Sequence, residues 1–237
     1  MSIVSPALAP DEKVWRYMSF ARFVWLLQKK QLWLSRADLL GDPWEISLAG
    51  NQLEHVVSTH PITPLSSDEI PESAMERAER IIKVWRQKTF VNCWCASSHE
   101  SHALWRIYCR SVEGVAVQTT VNRLKASIGD LPLHRVTYDT LGKSRQTPTF
   151  TDLVTKKRPM FAYEQEVRIV SSTEGDSGQG VSGYGLDWNT ESNAEAIFVH
   201  PGADSAFYET VIAITQQYAS GLSDRVSWSG MRQPQPF

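Results

Sequence analysis

The longest uninterrupted apolar run in this chain, Phe23-Val24-Trp25-Leu26-Leu27, has five residues, far short of the roughly 20 that cross a bilayer as a helix. No membrane span is expected, so every element leaves part of itself in water. Apolar side chains arrive in short groups, each able to bury one face of a strand or one stripe of a helix. Spacing tells the two apart. Phe20, Phe23, Val24 and Leu27 follow Ser19, a good capping residue, at helical intervals and predict an amphipathic helix over 20–31. Met75, Ala78, Ile81, Ile82 and Trp85 form a stripe among Glu76, Arg77, Glu79, Arg80, Lys83 and Arg86, which predicts a surface helix over 72–88. The stretches 101–109 and 203–220, and the one that ends before Pro159, read the same way.

Strands are expected where β-branched and aromatic residues dominate: 14–18, 32–34, 90–96, 114–120, 133–139, 163–171, 196–200 and 225–228. These strands and helices alternate without a regular βαβ order and without an internal repeat. The expected fold class is therefore α+β, a single domain over 14–229 with a mixed or split sheet flanked by helices. Residues 1–13 read as a loose lead-in and 230–237 as a tail. Gly41-Asp42-Pro43 predicts a turn, and 51–71, with Pro61 and Pro64, a loop or lid. Gly175, Gly178, Gly180, Gly183 and Gly185 predict a flexible loop or hairpin tip.

Of the 237 residues 42% are hydrophobic and nine are tryptophan, enough for a packed core. Lys and Arg number 24 against 26 Asp and Glu, a net charge of −2, so no overall basic field draws the chain to nucleic acid or anionic lipid. A local basic groove stays open. Three cysteines, two of them too close for an ordinary bridge, point to a reducing compartment. With no charged-then-apolar leader at the N-terminus, the expected location is the cytoplasm.

The sharpest chemical segment is Tyr163-Glu164-Gln165-Glu166-Val167-Arg168-Ile169-Val170. On a strand, Glu164, Glu166 and Arg168 share one face, and Val167 and Ile169 the other. That charged face is either a solvated row of weak ion pairs or a carboxylate pair lining a cleft. Arg16-Tyr17 offers either an arginine lying over an aromatic ring or a fork for ribose or phosphate oxygens. Asp42-Pro43-Trp44-Glu45 suits both a turn and a site. Cys93, Cys95, His99, His102 and Cys109 have zinc-binding chemistry without convincing spacing, and no metal is assigned. The chain carries no G-x-S-x-G, P-loop or H-E-x-x-H motif.

The ordered set Trp15-Arg16-Tyr17, Leu32 to Asp38 running on to Asp42-Pro43-Trp44-Glu45, Cys93-Trp94, Leu104 to Tyr108, Gly114 to Val117 and Tyr163 to Arg168 resembles a bacterial domain family. That family is of unknown function and related to AbiGi abortive-infection proteins, and the likeness runs from about Val14 to the end. More distantly, the chain resembles ADP-ribosyltransferases of the DarT-like branch. Their core opens with a strand bearing His or Arg, continues with a helix and closes with a Glu on an apolar strand. Arg16 and Glu166 hold those places, and Glu164-Gln165-Glu166 looks like the E-x-E element of arginine-directed members. No Tyr or Ser aligns with the middle element.

What the resemblance implies is an ADP-ribosyltransferase-like fold, with NAD as co-substrate and a nucleic acid or protein acceptor. It also implies a toxin or phage-defence role, with an antitoxin as partner. Glu166 would oppose the oxocarbenium-like charge as the nicotinamide bond breaks, while Glu164 or Arg168 positions the acceptor. Arg16, Tyr17, Asp42 and Glu45 would hold the cofactor, and Trp105 or Tyr108 would stack on nicotinamide. Two other readings remain: a non-catalytic defence module that binds a nucleotide, nucleic acid or protein, and a metal-dependent nuclease built on Asp42, Glu45, Glu164 and Glu166.

Overall fold

The computed structural model describes residues 7–42, 46, 73–139, 149–172 and 180–232. β1 (Lys13–Ser19) runs into α1 (Phe20–Lys29), which ends where Lys30 turns left-handed at φ 52° and leads into β2 (Gln31–Arg36). α2 (Ala74–Lys88) starts from a capping box of Ser73 and Glu76 and feeds β3 (Thr89–Ala96). Ser101 caps α3 (His102–Cys109), which precedes β4 (Gly114–Thr120) and α4 (Val121–Ser127). Then come β5 (Leu133–Arg135), β6 (Thr137–Tyr138), α5 (Phe150–Val154) and β7 (Lys156–Lys157). A tight 3-10 turn (Pro159–Glu164) leads to β8 (Glu166–Ser172). The chain closes with β9 (Gly183–Asp187), α6 (Thr190–Asn193), β10 (Ala196–Val199), α7 (Ser205–Tyr218) and β11 (Val226–Trp228).

Among the described residues, nine strands make one mixed sheet in the order β11-β10-β4-β1-β3-β2-β9, with β8 beside β3 and β5 beside β8. Only β10 and β11 pair in parallel within it. The result is an α+β domain. β8 occupies one whole edge of β3, from Thr89↔Ser172 to Cys95↔Glu166. β1 and β2 must therefore share the other edge: β1 reaches it at Trp15↔Cys95 and β2 at Ser35↔Val91. The two strands then part, leaving Asn92, Cys93 and Trp94 opposite neither, and α1 connects their diverging ends. Arg16 and Asn92 side chains bond the carbonyls of Cys93 and Trp33 at this gap, each at 2.8 Å.

One sheet face carries Val14, Met18, Phe90, Trp94, Val115, Val167, Ile169 and Ile197, which pack under Phe23, Leu26 and Leu27 of α1 and Val211 of α7. The other face holds two smaller apolar clusters. Trp15, Tyr17 and Cys95 meet Leu104 and Trp105 of α3 in one, and Val91 and Val170 meet Ile82, Leu153 and Val154 in the other. The register Val91↔Val170, Cys93↔Arg168, Cys95↔Glu166 puts a charged stretch between them.

Several expectations need correction. The strand anticipated over 163–171 begins at Glu166, because Tyr163 and Glu164 close the 3-10 turn and Gln165 is left-handed at φ 42°. The one expected over 133–139 is broken at Val136, whose N–H bonds the Glu166 carbonyl, so β5 stays with β8 while β6 leaves to pair β7. Ser19 flanks α1 without a side-chain cap bond. Gly183 and Gly185, expected in a loop, lie in β9, where a Cβ at position 183 would collide with the Leu34 carbonyl. The helix expected to end before Pro159 is present as Phe150–Val154, whereas α4 and α6 are not among the expected elements. Pro43, Trp44, Glu45, 51–71, Gly175 and Gly178 lie outside the described residues. Among the described residues no helix is long and apolar enough to cross a membrane.

Candidate functional site

Glu166 and Arg168 do share a face of β8, as alternation requires, yet that face is not solvated: they are 4% and 1% exposed. Arg168 donates to both oxygens of Glu166, Nε at 2.6 Å and Nη2 at 3.1 Å, and through Nη1 to the Val154 carbonyl at 2.7 Å. This is the fork geometry that suits guanidinium to carboxylate. Glu164 arrives from the 3-10 turn instead of the strand, and the left-handed Gln165 folds it back toward Glu166. Lys157 of β7 bridges the two carboxylates, 2.6 Å from Glu164 and 2.8 Å from Glu166, with its ammonium 5.3 Å from the Phe161 ring centre. Tyr108 of α3 donates to Glu164 at 3.3 Å, and the Tyr138 hydroxyl accepts from the Glu166 N–H at 2.7 Å.

The two carboxyls respond oppositely to this setting. For Glu166, burial works against the charged form, but Arg168, Lys157 and hydrogen bonds from Arg168 and the Cys93 thiol outweigh it and hold the group well below the usual carboxylate range. For Glu164, burial dominates and the charge of Glu166 adds to it, so its pKa is raised despite Lys157. Carboxyls driven apart in this way are suited to different roles in one reaction. Burial and the Glu164 and Glu166 charges push the Cys95 thiol up to about 12, and Cys93 also stands well above its ordinary value, chiefly through burial. Both are therefore poor nucleophiles.

A cavity of about 330 Å³ fills the gap between β1 and β2, near the lower end of the roughly 300–1,000 Å³ typical of ligand pockets. Its walls are Arg16, Tyr17 and Met18 of β1, Arg22, Trp25 and Leu26 of α1, and Gln31, Leu32, Trp33 and Ser35 of β2. Trp25 and Trp33 meet edge to face at 5.8 Å. Arg16 lies 6.0 Å from the Trp94 ring centre, and burial lowers its pKa to about 10, which leaves it charged at neutral pH. Cys93 stands between the cavity wall and the carboxylates: its carbonyl accepts from Arg16, and across the β3–β8 ladder it lies opposite Arg168.

The other anticipated residues divide. Tyr108 is 44% exposed beside Glu164 and is not one of the cavity walls. Trp105 is buried, donates to Glu100 at 2.9 Å and packs edge-on against Tyr17, so neither ring face is open for stacking. Tyr17 contributes to the cavity wall, but its hydroxyl is taken by the Ser101 N–H at 2.8 Å. Asp42 pairs with Arg158 at 3.1 Å and is not one of the cavity walls. Arg168 is enclosed, with its guanidinium turned to Glu166 and the Val154 carbonyl. Among the described residues no group of three or more His, Cys, Asp or Glu is placed to hold a metal ion.

Sequence reasoning missed Lys157 and the cavity residues Arg22, Trp25, Gln31 and Trp33. Lys157 looks like one of several surface lysines, and only its place on a two-residue strand sends it inward. Compared with known protein families, curated proteins and solved structures, the chain matches none.

Proposed function

We propose that this chain is an ADP-ribosyltransferase-like enzyme that cleaves NAD and passes ADP-ribose to a protein or nucleic acid acceptor. We place it with the abortive-infection-related bacterial domains that its sequence resembles. The observation that carries the reading is the cavity at the parting of β1 and β2, where cationic Arg16 and Arg22 and aromatic Trp25 and Trp33 surround a space, with the buried carboxylate pair across β3 from it. Guanidinium groups suit phosphate or ribose oxygens, and indoles suit a flat heterocycle. A cavity of about 330 Å³ lies within the range of small-molecule pockets.

In the reaction the C–N bond between ribose and nicotinamide breaks, and its electron pair leaves with nicotinamide. The anomeric carbon becomes oxocarbenium-like, and a fixed negative charge in a dry setting opposes that positive charge most effectively. Glu166 supplies the charge, with Arg168 locking its orientation. Glu164 and Tyr108 stand where an acceptor approaches. The three free thiols fit the cytoplasm, and a toxin or defence role with an antitoxin partner belongs to the same reading.

The test is NAD binding by calorimetry together with nicotinamide release, with protein and nucleic acid acceptors supplied. Glu166→Gln abolishes release. Arg22→Glu, a charge reversal at an exposed position, raises the NAD KM about tenfold, the weight of one charge-assisted contact of about 1.4 kcal/mol. Wild-type protein that neither binds NAD nor releases nicotinamide with any acceptor ends the proposal. One observation favours a second reading, a nucleotide-binding module without catalysis: both Glu166 oxygens already accept bonds from Arg168. NAD binding without turnover selects it.

A further inference from the structure

Four charged side chains converge in the interior here, and such clusters stabilise a fold little, since apolar groups of similar volume do as well or better. Their asymmetry is more informative. Of the two carboxylates, it is Glu166 that Arg168 bonds, at 2.6 and 3.1 Å. Lys157 lies between both carboxylates at 2.6 and 2.8 Å. Glu166 therefore has two cations and a thiol against it, whereas Glu164 has one cation and the Tyr108 hydroxyl at 3.3 Å. Glu164 also ends the 3-10 turn beside Tyr163, which, like Tyr108, is 44% exposed.

We propose that Lys157 is a positioning residue that divides the work of the pair: it helps hold Glu166 as a standing anion and leaves Glu164, beside the partly exposed Tyr108 and Tyr163, as the carboxyl that takes up a proton. The identity of the proton donor rests on the transferase reading. There the acceptor's lone pair bonds to the anomeric carbon, and the proton that the acceptor gives up passes to Glu164 while nicotinamide leaves.

The groups facing Glu164 are Lys157 from β7, Glu166 from β8, Tyr108 from α3, Cys95 from β3 and Tyr163 from its own turn. Cys93, Arg168 and Tyr138 lie against Glu166. Of all these, Lys157 is the cation in direct contact with Glu164. Without it, only the long Tyr108 hydrogen bond opposes burial and the Glu166 charge, and Glu164 keeps its proton to higher pH.

The experiment follows the glutamate carboxyl carbons of the whole chain by ¹³C NMR across pH, with the Glu164 signal assigned by its loss in Glu164→Gln. In wild-type protein the Glu164 signal titrates above and the Glu166 signal below the ordinary glutamate range. Lys157→Met moves the Glu164 midpoint up by at least about one pH unit, a tenfold rise in proton affinity, while Lys157→Arg, which keeps the charge, restores it to near the wild-type value. An unmoved midpoint in Lys157→Met overturns the proposal, as does a shift in Lys157→Arg as large as in Lys157→Met. Should Lys157→Met fail to fold, the wild-type titration decides: two carboxyls that titrate together in the ordinary range overturn it. The titration needs no NAD, so a protein without turnover defeats the transferase reading and leaves this result standing.

Discussion

Removing Glu166 leaves Arg168 without the carboxylate that neutralises it, at a position 1% exposed. An uncompensated buried charge of this kind costs about 3–5 kcal/mol, so Glu166→Gln lowers stability as well as turnover. Urea unfolding of the single variant reads that loss directly. The double replacement Glu166→Leu with Arg168→Leu loses less than the two single changes added together, because it removes the charge along with its partner; strict additivity contradicts the pairing. Alternation along β8 made the Glu166–Arg168 pair legible in the sequence. What the pair faces was not legible: Cys93 comes from distant β3, and Val154 and Lys157, though near in sequence, reach the pair only because the short α5 and the two-residue β7 fold back onto β8. Arg16, singled out on β1, lines the cavity, whereas Trp105 is turned inward, onto Tyr17, by its capped helix, a direction that composition does not reveal.

At the scale of elements, α3 and β4 meet so tightly that a Cβ on Gly114 would lie 2.5 Å from both Cβ and Sγ of Cys109. Gly114→Ala is therefore expected to destabilise by roughly 1–3 kcal/mol, the usual toll of overpacking. Adding Cys109→Ala removes the colliding sulfur and recovers part of the loss; denaturant midpoints of the three variants decide, and a neutral Gly114→Ala would contradict the packing. Long periodic elements such as α1, α2 and α7 could be read from spacing alone. The short ones could not. A helix as brief as α4 or α6 has too few turns to show a stripe, and Thr120 and Asn189 announce themselves only once their side chains are seen capping those helices. β6 and β7 hold two residues each and owe their form to each other.

Across the whole molecule, the buried thiols and phenols set a limit on the alkaline side. Burial raises Cys95 and Cys109 from an ordinary 9.0 to about 12, and raises Tyr17, Tyr108 and Tyr138 above their usual value. A group whose folded pKa exceeds its unfolded one contributes stability that is complete below the unfolded pKa and is lost as pH rises through the folded one. The thermal midpoint should hold to about pH 9 and fall steadily toward pH 12; a flat profile over that interval would mean these groups are open to solvent. Glu166 sets the acid side with opposite sign: its lowered pKa contributes stability above the ordinary carboxylate range that disappears as pH falls below it.

The parting of β1 and β2 is written into the backbone ladder, at Trp15↔Cys95 on one side and Ser35↔Val91 on the other, and not into the side chains that line the opening. Arg22 and Trp33 are exposed, so their identities can drift through substitution while the vacancy between the strands persists. Such an architecture can exchange one guest for another over evolutionary time without rebuilding its frame.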